Sequence, residues 1–156
     1  MIKVYIDNCV YNRPFDDQSK ERIFIEARAF YIILKWIEEG KIMSINSDAL
    51  EYENSLISNP DRKMRIKTYL SLAKAYVKFS DKVTERAKEI AGFGIRGIDA
   101  LHIAMAEVAN ADYFVTCDDD IIKRVRELSE RFKVKICGVL EFLEEVMGYG
   151  KDNKRN

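Results

Sequence analysis

One glutamine, one histidine, two prolines and three cysteines are spread over 156 residues. Each scarcity excludes something. His102 stands alone, and Cys9, Cys117 and Cys137 lie far apart with no Cys-x-x-Cys pair, which excludes a zinc site of ordinary spacing. An odd cysteine count without pairing logic fits reduced thiols, so a cytoplasmic location is expected. No basic segment followed by a long apolar run opens the chain, so no secretory signal is expected. No run approaches the roughly 18–20 apolar residues of a membrane span. An excess of positive charge is also lacking. The 26 basic and 26 acidic residues cancel. A nucleic-acid substrate would have to be held by local patches and metal, not by whole-protein attraction.

What is present is ordinary globular material. Hydrophobic residues make up 47% and charged residues 33% of the chain, which suits one domain with one core. That domain is expected over residues 1–147, with a polar, disordered tail over 148–156.

Hydrophobic periodicity divides the domain. Ile2–Ile6 is short and β-branched and predicts a strand. Residues 7–17 predict a loop, because Pro14 disfavours helix through Arg13. Residues 18–39 carry Ile23, Ala27, Phe30, Ile33, Leu34 and Ile37 at helical spacing, and Gly40 closes that helix. A strand at 42–45 precedes a helix capped by Ser47. One helix is expected over 61–79 and a short one over 84–91. A helix at 98–109, a strand at 113–116, a helix at 119–131, a strand at 134–136 and a helix at 140–147 complete the series. Strands alternating with helices predict an α/β fold with a mostly parallel central sheet. Such sheets bind ligands beyond the C-terminal strand ends.

Four acids stand out against that frame. Asp7 and Asp118 end or follow apolar strands. Asp99 opens the apolar segment 98–106. Glu53 falls within the face drawn by Ala49, Leu50, Leu56 and Ile57, whereas Glu51 falls off it. A carboxylate in a buried stripe costs free energy without a partner or a metal. Each acid also has a bland explanation. Asp7 suits a turn, Asp99 a helix start, Asp118 a helix cap, and Glu53 an ion pair with an arginine. Clustered, however, they would repel one another and favour a hard cation.

Weaker candidates surround them. Asp120 is a candidate outer metal ligand, and Asp119 is expected to be solvated. Arg13, Arg96 and Thr116 are candidate phosphate contacts. Asn8 is placed to hold a water or a turn. His102 is first a structural, hydrogen-bonded residue and second a group orienting Asp99. The basic cluster Arg62-Lys63-Met64-Arg65-Ile66-Lys67 is first an exposed helix face and second an RNA contact.

Taken in order, these pieces resemble the PIN-domain family of metal-dependent nucleases over about Ile2 to Val146. The strand ending in Asp7, the segment Ser47-Asp48-Ala49-Leu50-Glu51-Tyr52-Glu53, the helix Asp99-Ala100-Leu101-His102-Ile103-Ala104 and the run Tyr113-Phe114-Val115-Thr116-Cys117-Asp118 carry the likeness. Asn12-Arg13-Pro14-Phe15-Asp16 also looks like one branch of that family. The resemblance implies a Rossmann-like, three-layer PIN-type fold. It implies catalytic and metal-holding roles for Asp7, Glu53, Asp99 and Asp118, with Mg²⁺ or Mn²⁺ as cofactor. It further implies hydrolysis of single-stranded RNA to a 5′-phosphate product. Many small stand-alone members look like VapC-type toxins, held by an antitoxin protein and often homodimeric. Cys9 and Asp119 depart from the family pattern, the latter adding negative charge near phosphate.

Three rivals are weighed against this. A phosphatase of the haloacid-dehalogenase type wants a second Asp two residues after the first, where Cys9 stands. A receiver domain wants a Lys after its last strand, and Ile136-Cys137-Gly138 has none. A weak or inactive binding module on the same fold is the non-enzymatic alternative.

Overall fold

The computed structural model describes the backbone of residues 1–155 and the side chains of residues 1–148. The expectation of a disordered tail falls on the last of these and lies outside the described side chains.

Five strands form one all-parallel sheet. They are β1 (Lys3–Ile6), β2 (Met43–Ser47), β3 (Ala75–Val77), β4 (Tyr113–Thr116) and β5 (Lys135–Gly138), in the order β3-β2-β1-β4-β5. Eight helices flank it: α1 (Asn8–Asn12), α2 (Glu21–Glu38), α3 (Asp48–Ser55), α4 (Pro60–Leu70), α5 (Asp81–Gly92), α6 (Gly97–Val108), α7 (Asp119–Arg126) and α8 (Val139–Arg155). This is the three-layer α/β architecture expected from the alternation of elements. Helices on both faces explain why Val4, Tyr5 and Ile6 are consecutive and all buried. None of the described helices is long and apolar enough to cross a membrane.

The strand order creates the site. β1 pairs with both β2 and β4, in register Tyr5↔Ile45 and Tyr5↔Phe114. The chain leaves β1 toward β2, and leaves β4 toward β5 on the other side. Connections therefore diverge between β1 and β4, and a crevice opens beyond their C-terminal ends. Asp7 follows β1 and Asp118 follows β4 at that crevice.

Local chemistry explains most boundaries. Gly40, at φ +73°, takes the left-handed position that ends α2, and the Lys41 amide donates back to the Trp36 carbonyl. Ser47, Asn59 and Ser80 each accept an amide hydrogen bond at the start of α3, α4 and α5. Helix α6 buries Ala100, His102, Ile103, Ala104, Met105 and Ala106. So many sides of a helix are buried only when neighbours surround it, and α3, α5, β3 and β4 do so.

Four expectations are corrected. Residues 7–17 are not all loop: Asp7 caps α1, and Arg13–Phe15 form a 3-10 turn with Pro14 inside its first positions. Arg13 is αR despite preceding proline, because the turn tightens instead of continuing as α-helix. The helix expected over 61–79 stops at Leu70. The Lys74 amide donates to the Ser44 carbonyl and draws Ala75–Val77 into the sheet as edge strand β3. Three residues are too few for a periodic signal. Helix α5 starts earlier than expected, at its Ser80 cap, and α7 ends at Arg126, with a separate 3-10 turn at Ser129–Arg131.

One ion pair ties helices to the sheet's far end. Arg86 on α5 grips Glu107 on α6 with Nε–Oε1 at 2.6 Å and Nη2–Oε2 at 3.2 Å. The Glu107 side chain is 2% exposed, and the Lys133 amide donates to it at 3.0 Å. Arg86→Ala leaves that carboxylate buried and uncompensated. It is expected to cost about 3 kcal/mol of stability in urea unfolding; a loss below about 1 kcal/mol would contradict the assignment of this pair as buried.

Candidate active site

The four acids arrive on four different elements. Asp7 sits at the β1–α1 junction, Glu53 on α3, Asp99 in the first turn of α6, and Asp118 at the β4–α7 junction. Helix capping and site building use the same side chains. Asp7 Oδ1 accepts from the Asn8 amide at 2.8 Å. Asp118 Oδ1 accepts from the Asp120 amide at 2.9 Å and the Ile121 amide at 3.3 Å. The cap explanations of Asp7 and Asp118 therefore hold, and they leave each carboxylate a second oxygen.

Asp7 is the most enclosed, 5% exposed. The Thr116 hydroxyl donates to its Oδ2 at 2.8 Å, and the Cys9 thiol lies 3.5 Å from the same oxygen. Burial holds Asp7 above the ordinary carboxylate value, against the opposing influence of His102 and of the hydrogen bonds from Thr116, Cys9 and Asn8. Thr116 is fully buried, and its Oγ1 also accepts from the Asp118 amide at 3.1 Å. It links two acids and is not placed to meet phosphate. Cys9 packs beside them, and its sulfur accepts from the Cys117 amide at 3.2 Å.

Asp99 carries the strongest electrostatic signature. Its carboxyl is pushed up to about 6, first by burial and then by the negative charges of Asp7 and Asp118, with Glu53 adding to them. No described residue donates a hydrogen bond to it. The helix-start explanation covers its position but not this isolation.

Glu53 is held at both oxygens. The His102 imidazole meets Oε1 through Nε2, and the Asn8 amide group donates to Oε2 at 3.1 Å. His102 is itself fully buried, with Nδ1 2.6 Å from the Tyr5 hydroxyl. That hydroxyl is also 2.6 Å from Ser47 Oγ. A single assignment satisfies every group: Ser47 donates to Tyr5, Tyr5 to Nδ1, and Nε2–H to Glu53. His102 thus orients Glu53 and not Asp99. The structure brings Glu53, and not Glu51, to the site; Glu51 accepts from Asn46 at 2.8 Å. The apolar stripe used to choose between them is only half real. Ala49 and Leu50 are buried, but Leu56 lies past the end of α3 and is 65% exposed.

A relay runs outward from Glu53. Asn8 accepts, through its backbone and side-chain oxygens, from the Asn12 amide at 2.9 and 3.0 Å. Asn12 Oδ1 accepts from Arg62 Nε at 3.0 Å and Nη2 at 2.7 Å. Arg62 also lies over the Phe15 ring, 5.4 Å from its centroid. In the sequence Asn12 stands out only within the segment 12–16 and Arg62 only within the basic cluster 62–67, read as an exposed face or an RNA contact, and Tyr5 only as a strand residue. The spacing Asn8–Asn12, one helical turn, was the available signal.

The arginines divide. Arg13 pairs with Glu26 and Asp16, each at 3.1 Å, and is committed to structure, not to phosphate. Arg22 grips both oxygens of Asp119, at 2.5 and 2.7 Å, so Asp119 is neither solvated alone nor an unbalanced charge. Its carboxyl is held below the ordinary value, first by that hydrogen bond. Arg96 instead lines a cleft of about 190 Å³ together with Asp99, Asp118, Asp120 and Arg124.

Among the described residues, no three His, Cys, Asp or Glu side chains already stand in coordinating arrangement. The donor set nevertheless fits a hard divalent cation. It consists of carboxylate oxygens, and no Lys or Arg is among the charges acting on Asp7 or Asp99. Without a cation, ionised Asp99 destabilises the fold. Its folded-state pKa lies above the unfolded value, so its stabilising contribution is complete below about pH 4 and is lost as pH rises through about 6. Asp99→Asn in chelator is therefore expected to raise Tm at pH 7.5 by about 2–4 °C, roughly 1 kcal/mol after discounting for partial exposure. The gain should vanish at pH 4; an equal gain at both values would contradict the electrostatic origin.

The chain matches the family model of the PIN domain over residues 10–128. That span holds Glu53, Asp99 and Asp118, while Asp7 precedes it. Solved structures that share the fold include the following two. VapBC2 from Rickettsia felis, bound to a DNA fragment from its promoter, aligns with TM-score 0.57 and 17% identity, over 88% of this chain and 98% of that one. VapBC-1 from nontypeable Haemophilus influenzae aligns with TM-score 0.51 and 14% identity, over 90% and 99%. No curated protein matches the chain. The well-matched family model, spanning well over half the residues and three of the four converging acids, identifies the chain as a member of the PIN domain family.

Proposed function

We propose that this chain is a divalent-metal-dependent endoribonuclease acting on single-stranded RNA. The observation that carries this is Asp99: half-buried, without a hydrogen-bond donor, and pushed up first by burial and then by the neighbouring carboxylates Asp7, Asp118 and Glu53. Asp7, Glu53 and Asp118 are each fixed by hydrogen-bond donors, and Asp99 alone of the four has none among the described residues. Asp7, Asp99 and Asp118 would hold Mg²⁺ or Mn²⁺, with Glu53 completing the set directly or through water and Asp120 in an outer position. A cation held there supplies an activated water and neutralises phosphate charge.

The protein's own part is positional. Thr116 fixes the Asp7 oxygen, and the amides of α7 fix Asp118. His102 and Asn8 fix Glu53 from opposite sides. Attack in line on the phosphorus needs such fixed donors, since a misplacement of about 1 Å costs about a hundredfold.

The two solved structures described above are VapBC complexes. This supports reading the chain as the toxin of a toxin–antitoxin pair, acting in the cytoplasm. A homodimer is supported by Phe24, Ile25, Tyr31 and Ile32, an exposed apolar stripe along α2.

Purified protein is expected to cleave a mixed single-stranded RNA pool with Mn²⁺ and not with chelator. Asp7→Asn and Asp99→Asn should abolish cleavage while leaving the far-ultraviolet circular dichroism unchanged. His102→Ala should lower kcat about 10–100-fold by releasing Glu53. Metal-independent cleavage, or full activity of either Asp variant, would overturn the assignment. Binding of RNA without any cleavage would favour the non-catalytic module instead.

A further inference from the structure

We infer that Arg124, together with Arg96, is the phosphate clamp of this site. The inference rests on the ribonuclease reading and adds to it the groups that hold the substrate. The net charge of zero gives the chain no general attraction for a polyanion. The acidic edge repels one. Some local cation must compensate, and the structure leaves few candidates.

Arginines are eliminated by their partners. Arg13 is held by Glu26 and Asp16. Arg22 is held by Asp119 and Glu26. Arg62 is held by Asn12 and lies on Phe15. Arg96 and Arg124 are exposed and form no ion pair among the described residues. Yet both line the cleft that contains Asp99, Asp118 and Asp120.

Arg124 is the more telling of the two. It follows Asp120 by four residues on α7, the spacing at which an acid and a base ordinarily pair on a helix. It forms no such pair. Its guanidinium instead lies over the backbone of Gly94, where an added Cβ would come within 3.1 Å of both Cζ and Nε. Gly94 has φ +97°, a conformation that favours glycine. The bare loop between α5 and α6 thus gives the planar group a seat beside the acids. A seated guanidinium presents paired N–H donors to phosphate oxygens, which a lysine cannot match. The cleft of about 190 Å³ has room for about six waters at about 30 Å³ each, which suits a phosphate group.

The test uses a fluorescein-labelled single-stranded RNA of mixed sequence, with binding measured by anisotropy in the non-cleaving Asp99→Asn protein with Mn²⁺. Arg124→Ala is expected to weaken binding about tenfold and to reduce the slope of log K against log salt by about 0.7, one single-strand phosphate contact. In the cleaving protein, Arg124→Ala should raise KM and lower kcat. Arg124→Lys should restore the salt slope but not kcat, because a charge remains and the fork does not. Lys123→Ala, on the same helix but outside the cleft, should match the unsubstituted protein in each assay. Unchanged binding and cleavage in Arg124→Ala, or an equal loss in Lys123→Ala, overturns the clamp alone. An unsubstituted protein that neither binds nor cleaves RNA overturns the ribonuclease reading and the clamp with it.

Discussion

Repulsion among carboxylates at the β1–β4 crevice is the constraint on which the rest of this structure depends. Burial raises a carboxylate's pKa, and like charges at close range add to the effect at Asp99. His102 lowers Asp7 and Asp99 in part, but no Lys or Arg is among the charges acting on either. Arg13 and Arg22 are instead paired with Glu26, Asp16 and Asp119. Asp99 is consequently left high, at about 6, and the cluster is poised for a cation. Strand order sets this up, because β1 and β4 are neighbours whose connections part in opposite directions.

Around that charged centre, two lines of hydrogen bonds provide rigidity. Ser47, Tyr5 and His102 form a buried line that crosses β2, β1 and α6 and ends on Glu53. Asn8, Asn12 and Arg62 form a second line from α4 that ends on the other oxygen of the same residue. The segment Asn12-Arg13-Pro14-Phe15-Asp16 gains a physical role here. Asn12 accepts from Arg62, Phe15 underlies its guanidinium, and Arg13 closes onto Asp16. The tight turn at Pro14 is what gathers these groups.

Much of this was legible in the sequence, and the boundary of legibility is physical. Consecutive apolar residues marked β1 and β4, because a parallel sheet buried on both faces needs no alternation. Asp7 and Asp118 followed from the strand ends. Glu53 was chosen over Glu51 by a helical phase that the structure supports at Ala49 and Leu50 but not at Leu56. Edge strand β3 was hidden because three residues carry no period and because sheet pairing, a tertiary effect, overrides local helical preference. His102 read as structural, which it is, but its partner was misjudged: the line Tyr5–His102–Glu53 joins residues 49 and 97 positions apart. The pairing of Arg22 with Asp119 spans 97 positions as well. No local pattern reports contacts of that range.

The central claim is that the acidic cluster is completed by a divalent cation. Isothermal titration of Mn²⁺ at pH 6 in two buffers of different ionisation enthalpy tests it most directly. The account predicts binding at millimolar concentration or tighter, with net proton release that is lost in Asp99→Asn, because the cation displaces the proton that Asp99 carries. No binding at millimolar Mn²⁺, or binding whose proton release is unchanged in Asp99→Asn, would contradict it.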